Sequence, residues 1–310
     1  MSHAGNVADG AAARPTVALA LGAGGAKGLA HIGVIEEIEA NGFDIVAIAG
    51  TSMGALIGGI HAMGKLEVYR DWVGELARFD VLRLVDWTFS GGGLIKGERI
   101  IGTLRGLMGD TRIEDLPLAF TAVATDLDRE REVWLSHGSL FEAVRASISV
   151  PTVFRPHPLH GRRLVDGALL NPVPVTPLIG IRADYLIAVS VDGSSETVTA
   201  APPVEREPVD EDGYRHRIGE FLNRLMPNKG GQSRGPGTFE TLTQAMDLMQ
   251  ANLARLRLAA YEPDLLIELP RNIASVYEFY RARELIERGR VQARKALAEW
   301  PRNPNSLRSP

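Results

Sequence analysis

Two glycine-rich turns, each closing an apolar run and each opening a segment of helical periodicity, constrain this chain more than any other feature. The first is Leu19-Ala-Leu-Gly-Ala-Gly-Gly-Ala-Lys-Gly28 and the second is Ala49-Gly-Thr-Ser-Met-Gly54. Thr16 to Leu21 and Asp44 to Ala49 read as buried strands. Leu29 to Ala40 reads as a helix, with Leu29, Ile32, Ile35 and Ile38 on one face, Glu36, Glu37 and Glu39 solvated, and Asn41-Gly42 as the stop. Met53 to Met63 and Leu66 to Phe79 read as two more helices. Strand–helix–strand–helix order predicts an α/β fold, a doubly wound, mostly parallel sheet flanked by helices.

Downstream, strands are expected over Leu118–Thr125, Glu132–Leu135, Arg163–Val165 and Tyr185–Val191, with helices over Glu98–Leu107 and Ser139–Ser147. Gly91-Gly-Gly93 reads as a loop. Phe239–Tyr261 and Ser275–Trp300 carry helical patterning around an edge strand at Leu265–Leu269. The organisation this predicts is a disordered tail over residues 1–14, a catalytic α/β domain over 15–192, a flexible or disordered insert over 193–237, a helical region packing on the α/β domain over 238–300, and a tail over 301–310. The insert is set apart by composition, being rich in Pro, Gly, Ser, Glu and Asp.

Bulk properties exclude several functions. A formal charge of −4 gives no field for nucleic acid, so no nucleic-acid partner is expected. The absence of cysteine removes disulfides, thiolate metal sites and a thiol nucleophile together. Ile45 to Gly64 carries no formal charge, but its glycines with Thr51, Ser52 and His61 suit a strand, turn and helix better than a membrane span. Val17 to Ala26 lacks the basic flank of a secretion leader, so a cytoplasmic protein is expected.

The turns carry chemistry. In Gly50-Thr-Ser52-Met-Gly54 a serine stands at a strand-to-helix elbow, where glycines two before and two after prevent collision with the neighbouring strand and helix. The following helix N-terminus favours negative charge beside that hydroxyl. In Gly22-Ala-Gly24-Gly25-Ala26-Lys27-Gly28, successive amides can converge on an anion, and Lys27 adds positive potential. That anion could be a phosphate, a pyrophosphate or a tetrahedral oxyanion. A P-loop would need a lysine followed by a hydroxyl after the last glycine, and a dinucleotide site would need an acid at the end of the second strand, where Ser52 stands instead. No metal or cofactor is called for.

A serine nucleophile needs a base. Of the seven histidines only His216 lies well beyond Asp166, inside the low-complexity insert, where a base is poorly held. His31 and His61 fall on helices as ordinary packed or surface residues. Asp166, at a strand end in Val165-Asp166-Gly167-Ala168, can approach a serine directly, although a lone Asp-Gly is commonly a turn. Ser147, Ser149 and Pro151 read as a helix end stopped by proline, or as the wall of an acyl pocket. Trp72, Trp87 and Phe89 read as core or as a lipid-facing entrance. Arg281, Arg283, Arg288, Arg290, Arg294 and Lys295, interleaved with Glu284 and Glu287, read as a solvated helix face or as an interfacial membrane contact.

Four blocks in order resemble the patatin-like phospholipases, small bacterial members in particular: Gly24-Gly-Ala-Lys-Gly28, Gly50-Thr-Ser-Met-Gly54, Ala146-Ser-Ile-Ser-Val-Pro151 with Phe154 and Pro156, and Asp166-Gly-Ala168. Aligned on Gly25 and Gly28, the family's G-x-G-x-x-G loop has Ala23 at its first position. The resemblance covers about residues 16–192. It implies a three-layer α/β sandwich and a Ser–Asp dyad without histidine. Ser52 would be the nucleophile, Asp166 the general base, and the amides of Gly24, Gly25 and Ala26 the oxyanion hole, supported by Gly22, Lys27, Gly28, Gly50, Gly54 and Gly167. It implies a lipid acyl hydrolase of phospholipase A or lysophospholipase type, with a lipid or other acyl ester as substrate and peripheral membrane contact left open. A soluble carboxylesterase or thioesterase, and a non-catalytic nucleotide-binding or regulatory module, are the alternatives.

Overall fold

In a computed structural model of the chain, the apolar runs behind the two glycine turns become neighbouring central strands. β1 (Thr16–Leu21) and β2 (Asp44–Thr51) pair in parallel, with Leu21 opposite Gly50. The structure describes residues 13–77, 80–81, 93–195 and 238–301. The chain divides into two compact units, residues 1–195 with 248–310, and residues 196–247. Only residues 238–247 of the second unit are described. The 193–237 insert therefore lies, from residue 196 on, outside the described residues, as do Trp87, Phe89 and His216.

β4 (Ala119–Asp126), β5 (Arg131–Leu135), β7 (His157–Leu159), β8 (Arg162–Asp166), β9 (Tyr185–Gly193) and β10 (Leu265–Pro270) complete an eight-stranded sheet in the order β10-β9-β1-β2-β4-β8-β7, with β5 also on β4. Strands β10 to β4 are parallel, while β5, β7 and β8 pair antiparallel. Two short segments, β3 (Gly93–Ile95) and β6 (Thr152–Phe154), form a separate parallel pair.

Period-two alternation splits the side chains of β1 between two cores. Val17, Leu19 and Leu21 join Ile48, Ile187 and Val189 beneath α1 (Ala30–Ala40), α2 (Met53–Ala62) and α7 (Ala282–Glu299). Ala18 and Ala20, with Ala47, Ala49 and Ala188, form a face of small residues. Onto that face pack Val173, Val175 and Leu178, together with Ala254 and Leu258 of α6 (Thr238–Ala260). The outcome is helix, sheet and helix in three layers. Each large aliphatic side chain buried this way contributes about 1.5–3 kcal/mol.

α1 and α7 cross at glycine. A Cβ at Gly33 would lie 2.0 Å from Ile286 O, and one at Gly289 would lie 2.0 Å from Ala30 O. Of the three acidic residues of α1 expected to be solvated, Glu39 is exposed, whereas Glu36 and Glu37 receive arginines of α7. Arg290 pairs with Glu36 and Glu287, and Arg294 Nε and Nη2 each reach Glu37 at 3.0 Å. Arg281 pairs with Glu278 and Glu284, and Arg288 with Glu284. Arg281, Arg288, Arg290 and Arg294 of the basic run thus form intramolecular ion pairs, and Arg283 Nε donates to Gly74 O at 3.0 Å.

Two helix boundaries differ from expectation. α3 (Leu66–Gly74) stops before a turn at Glu75 rather than running on toward Phe79. α7 starts at Ala282 rather than Ser275, because Ser275 N donates to Glu278 Oε2 at 2.9 Å in a turn and Val276 O is turned to the glycine loop. Helices α4 (Glu98–Met108) and α5 (Leu140–Ser147) lie where periodicity placed them.

Candidate active site

Strand pairing brings the two ends of interest together. Thr51 is the partner of Val123 on β4, and Asp166 is the partner of the next residue, Ala124. β5 pairs with Ala122 to Asp126, so it occupies one edge of β4 throughout that stretch. β2 and β8 must then share the other edge. They approach each other end to end there, β2 ending at Thr51 and β8 at Asp166. Ser52, the residue after β2, faces Asp166 by construction of the sheet.

Ser52 adopts φ 56°, ψ −120°, and α2 begins at the following residue. Such a conformation is favourable for glycine and costs a serine about 1–3 kcal/mol. The flanking glycines are required sterically. A Cβ at Gly50 would lie 2.4 Å from Gly54 O, and one at Gly54 would lie 2.1 Å from Leu21 O. Ala55 N and Leu56 N close the first turn on Ser52 O at 3.0 and 3.1 Å. Ser52 N donates to Ser147 Oγ at 2.9 Å.

Asp166 is 3% exposed. Its Oδ1 accepts the Ala168 amide at 2.8 Å, and the Ser52 side chain stands beside the carboxyl group. Burial pushes its pKa up to about 6, against the opposing pull of Ser52 and Ala168. Gly167 lets the chain turn over β4, where a Cβ would lie 2.3 Å from Val123 O. Asp166 N donates to Ser149 O at 2.9 Å, and Thr125 Oγ1 donates to Asp166 O at 3.1 Å.

The glycine loop lies between β1 and a 3-10 turn at Gly25–Leu29. Gly22 N donates to Val189 O at 3.0 Å and Ala23 N to Pro172 O at 2.9 Å. Gly24 is forced by Val191, whose Cγ2 would sit 2.1 Å from a Cβ there, and Gly28 by Met53, whose Cγ would sit at 2.5 Å. Gly25 has φ +54° and meets Val276 O. The Ala26 amide, expected as a third anion donor, is engaged with Val276 O at 3.0 Å. The Gly24 and Gly25 amides have no protein partner among the described residues. Lys27 is 7% exposed and its Nζ pairs with Asp192 Oδ1 at 2.5 Å, so its charge is matched within the fold.

Sequence reasoning missed the parts played by four residues. Ser147, read as part of a helix stop, binds the elbow backbone. Asn171 and Pro172 bridge the two turns, since Thr51 Oγ1 donates to Asn171 O at 2.8 Å while Pro172 O takes the Ala23 amide. His31, read as a packed residue, is fully buried and its Nε2–H donates to Gly22 O at 2.8 Å. Burial depresses its pKa to about 4, which keeps the ring neutral and a donor. The serine alternation after α5 and the Asn-Pro dipeptide were the available signals; His31 had none beyond its burial on a helix. Among the described residues no histidine is hydrogen-bonded to Ser52 or Asp166. His61, also depressed to about 4 by burial, belongs to α2, and His157 Nε2 contacts Glu142 Oε2 at 2.9 Å.

The chain is similar to several known proteins. A family model described as patatin-like phospholipase matches residues 19–179. An uncharacterized NTE family protein of Mycobacterium bovis is 38% identical over 340 residues, covering 91% of this chain and 91% of its own. The neuropathy target esterase of Drosophila melanogaster is 29% identical over 189 residues, 59% of this chain and 13% of that protein. A lysophospholipase of Emericella nidulans is 32% identical over 183 residues, 56% of this chain and 12% of that protein. Among solved structures, VipD from Legionella pneumophila is similar with a TM-score of 0.44 and 14% identity, over 94% of this chain and 68% of that one.

Proposed function

The chain belongs to the patatin-like phospholipase family, and we propose that it is a serine acyl-ester hydrolase of lipids in which Ser52 is the nucleophile and Asp166 the general base. The observation that carries this reading is the buried approach of the Ser52 hydroxyl to the Asp166 carboxylate at a strained elbow. A lipid ester is the substrate class because the matching model is of phospholipases and one relative is a lysophospholipase.

The chemistry follows from the groups present. Asp166 accepts the Ser52 proton as Oγ bonds to the ester carbonyl carbon, and the carbonyl electron pair moves to oxygen. The oxyanion is held by the Gly24 and Gly25 amides, which have no protein partner among the described residues, and by the N-terminus of α2. The tetrahedral species collapses, the alcohol or lysolipid leaves with the proton from Asp166, and an acyl-serine remains. Water then attacks the acyl carbon while Asp166 takes its proton. Collapse of the second tetrahedral species releases the fatty acid and returns the proton to Ser52. One carboxylate serves as base and acid in both halves, for which a pKa near neutrality is suited.

A fluorophosphonate probe tests the reading. Stoichiometric labelling at Ser52, lost in Ser52→Ala together with hydrolysis of lysophospholipid, is the expected result. An unlabelled protein that binds nucleotide would favour the non-catalytic alternative. Turnover confined to short, soluble esters would favour the carboxylesterase one.

A further inference from the structure

The nucleophile follows β2 and the base ends β8, yet the backbones of both are tied to one short stretch of chain. Ser147 Oγ accepts the Ser52 amide at 2.9 Å and donates to Val123 O at 2.6 Å. Two residues on, the Ser149 carbonyl accepts the Asp166 amide at 2.9 Å. This stretch is the C-terminal end of α5, where the helix releases carbonyls and side chains for other partners. Arg145 secures it from behind. Its Nη1 reaches Ser149 Oγ at 2.6 Å, and its Nη2 bonds the Lys96 carbonyl. Ser147 and Ser149 are both fully buried and Arg145 is 2% exposed.

We propose that Ser147 is a positioning residue for the reaction. Its hydroxyl, inserted between the Ser52 amide and the Val123 carbonyl, holds the nucleophile's backbone at the positive φ that turns the side chain toward Asp166. The inference rests on the roles given above to Ser52 and Asp166. A hydroxyl is needed because the position must accept from one side and donate to the other within the space of a small side chain. Alanine can do neither, and would leave a buried amide and carbonyl without partners at a strained turn. Because the Ser52 amide is committed to Ser147, it is also removed from the set of oxyanion donors.

The test compares wild type, Ser147→Ala and Ser147→Cys in the full-length chain, reading kcat and KM on a lysophospholipid, the rate of fluorophosphonate labelling, and thermal unfolding. Loss of positioning lowers kcat and the labelling rate together by about 10- to 100-fold in Ser147→Ala, with KM within about twofold. The thiol, a weaker partner on both sides, gives an intermediate loss. The acidic limb of kcat/KM moves upward, because a serine that has swung away no longer stabilises the Asp166 carboxylate, which among the described residues has Ser52 and the Ala168 amide as its favourable neighbours. Wild-type kcat in Ser147→Ala, or a defect confined to KM, overturns the proposal. Should Ser147→Ala fail to fold, Ser147→Cys decides on the same readouts, and wild-type kcat there overturns it. A wild type inert to the probe would instead count against the Ser52 assignment. A labelled wild type matched by an equally labelled Ser147→Ala counts against the positioning role alone.

Discussion

Asp166 lies buried beside Ser52 with the Ala168 amide donating to its Oδ1 at 2.8 Å, and among the described residues no charged side chain takes part. Desolvation therefore governs its protonation and raises its pKa to about 6. In the proposed mechanism the carboxylate must be ionised to accept the serine proton, so activity is expected above that pH and lost below it. The kcat/KM for an uncharged ester is expected to fall roughly tenfold per pH unit below about 6 and to be level from about 7 to 8. A profile that stays flat down to pH 4.5 would contradict the assignment of the base.

The same raised pKa makes Asp166 a cost to the native fold at neutral pH. The folded value near 6 exceeds the unfolded value of 3.8, so the protonated form favours folding. That stability is fully present below about 4, declines as pH rises through 6, and is absent above. Two pKa units correspond to about 3 kcal/mol. Asp166→Asn, neutral at every pH and still able to accept the Ala168 amide, should be inactive yet more stable than wild type by up to that amount at pH 8. Its advantage should vanish near pH 4. Denaturant unfolding at the two pH values measures this.

Much of this was legible in the chain, because glycine and apolar periodicity report backbone requirements that the fold enforces locally. Gly50, Gly54 and Gly167 could be marked from sequence because each abuts backbone of a neighbouring strand or turn, where a Cβ cannot stand. The parallel strands announced themselves as uninterrupted apolar runs. Contacts made by ordinary residues across long separations stayed hidden. The engagement of Ala26 with Val276 O links positions whose local patterns say nothing of each other, and it takes one expected anion donor out of use. The helical pattern from Ser275 likewise hid a turn, because periodicity cannot tell a helix from a segment held in place by a distant loop. Strands β3, β6 and β7 are too short for a periodic signal.

The elbow stores strain that glycine would release. Ser52 sits at φ 56°, ψ −120°, a region open to glycine and costly for residues with a Cβ. Ser52→Gly is expected to raise stability by about 1–2 kcal/mol and to abolish turnover, whereas Ser52→Ala abolishes turnover while keeping the strain. Thermal unfolding of the two inactive variants separates the terms. Equal melting temperatures would mean that the surrounding bonds impose no net strain at this position.

The glycine loop offers a site where geometry alone should damage catalysis. A Cβ at Gly25 would lie 2.8 Å from Val276 O and 2.9 Å from Val276 Cβ, on a backbone at φ +54°. Gly25→Ala must therefore either change φ or push Val276 away, and Val276 O is the acceptor that holds the Ala26 amide. Either response displaces the Gly24 and Gly25 amides from where the proposed mechanism puts the oxyanion. The expected loss in kcat is about 10²- to 10³-fold, the scale of one oxyanion donor, with little change in KM. Trimming the neighbour with Val276→Gly should not restore activity, because the obstructing carbonyl and the positive φ both remain. Gly28→Ala is obstructed as well, since its Cβ would meet Met53 Cγ at 2.5 Å and Met53 Cβ, fixed to the helix backbone, at 2.6 Å. A Gly25→Ala enzyme with wild-type kcat would place the oxyanion donors elsewhere in the fold.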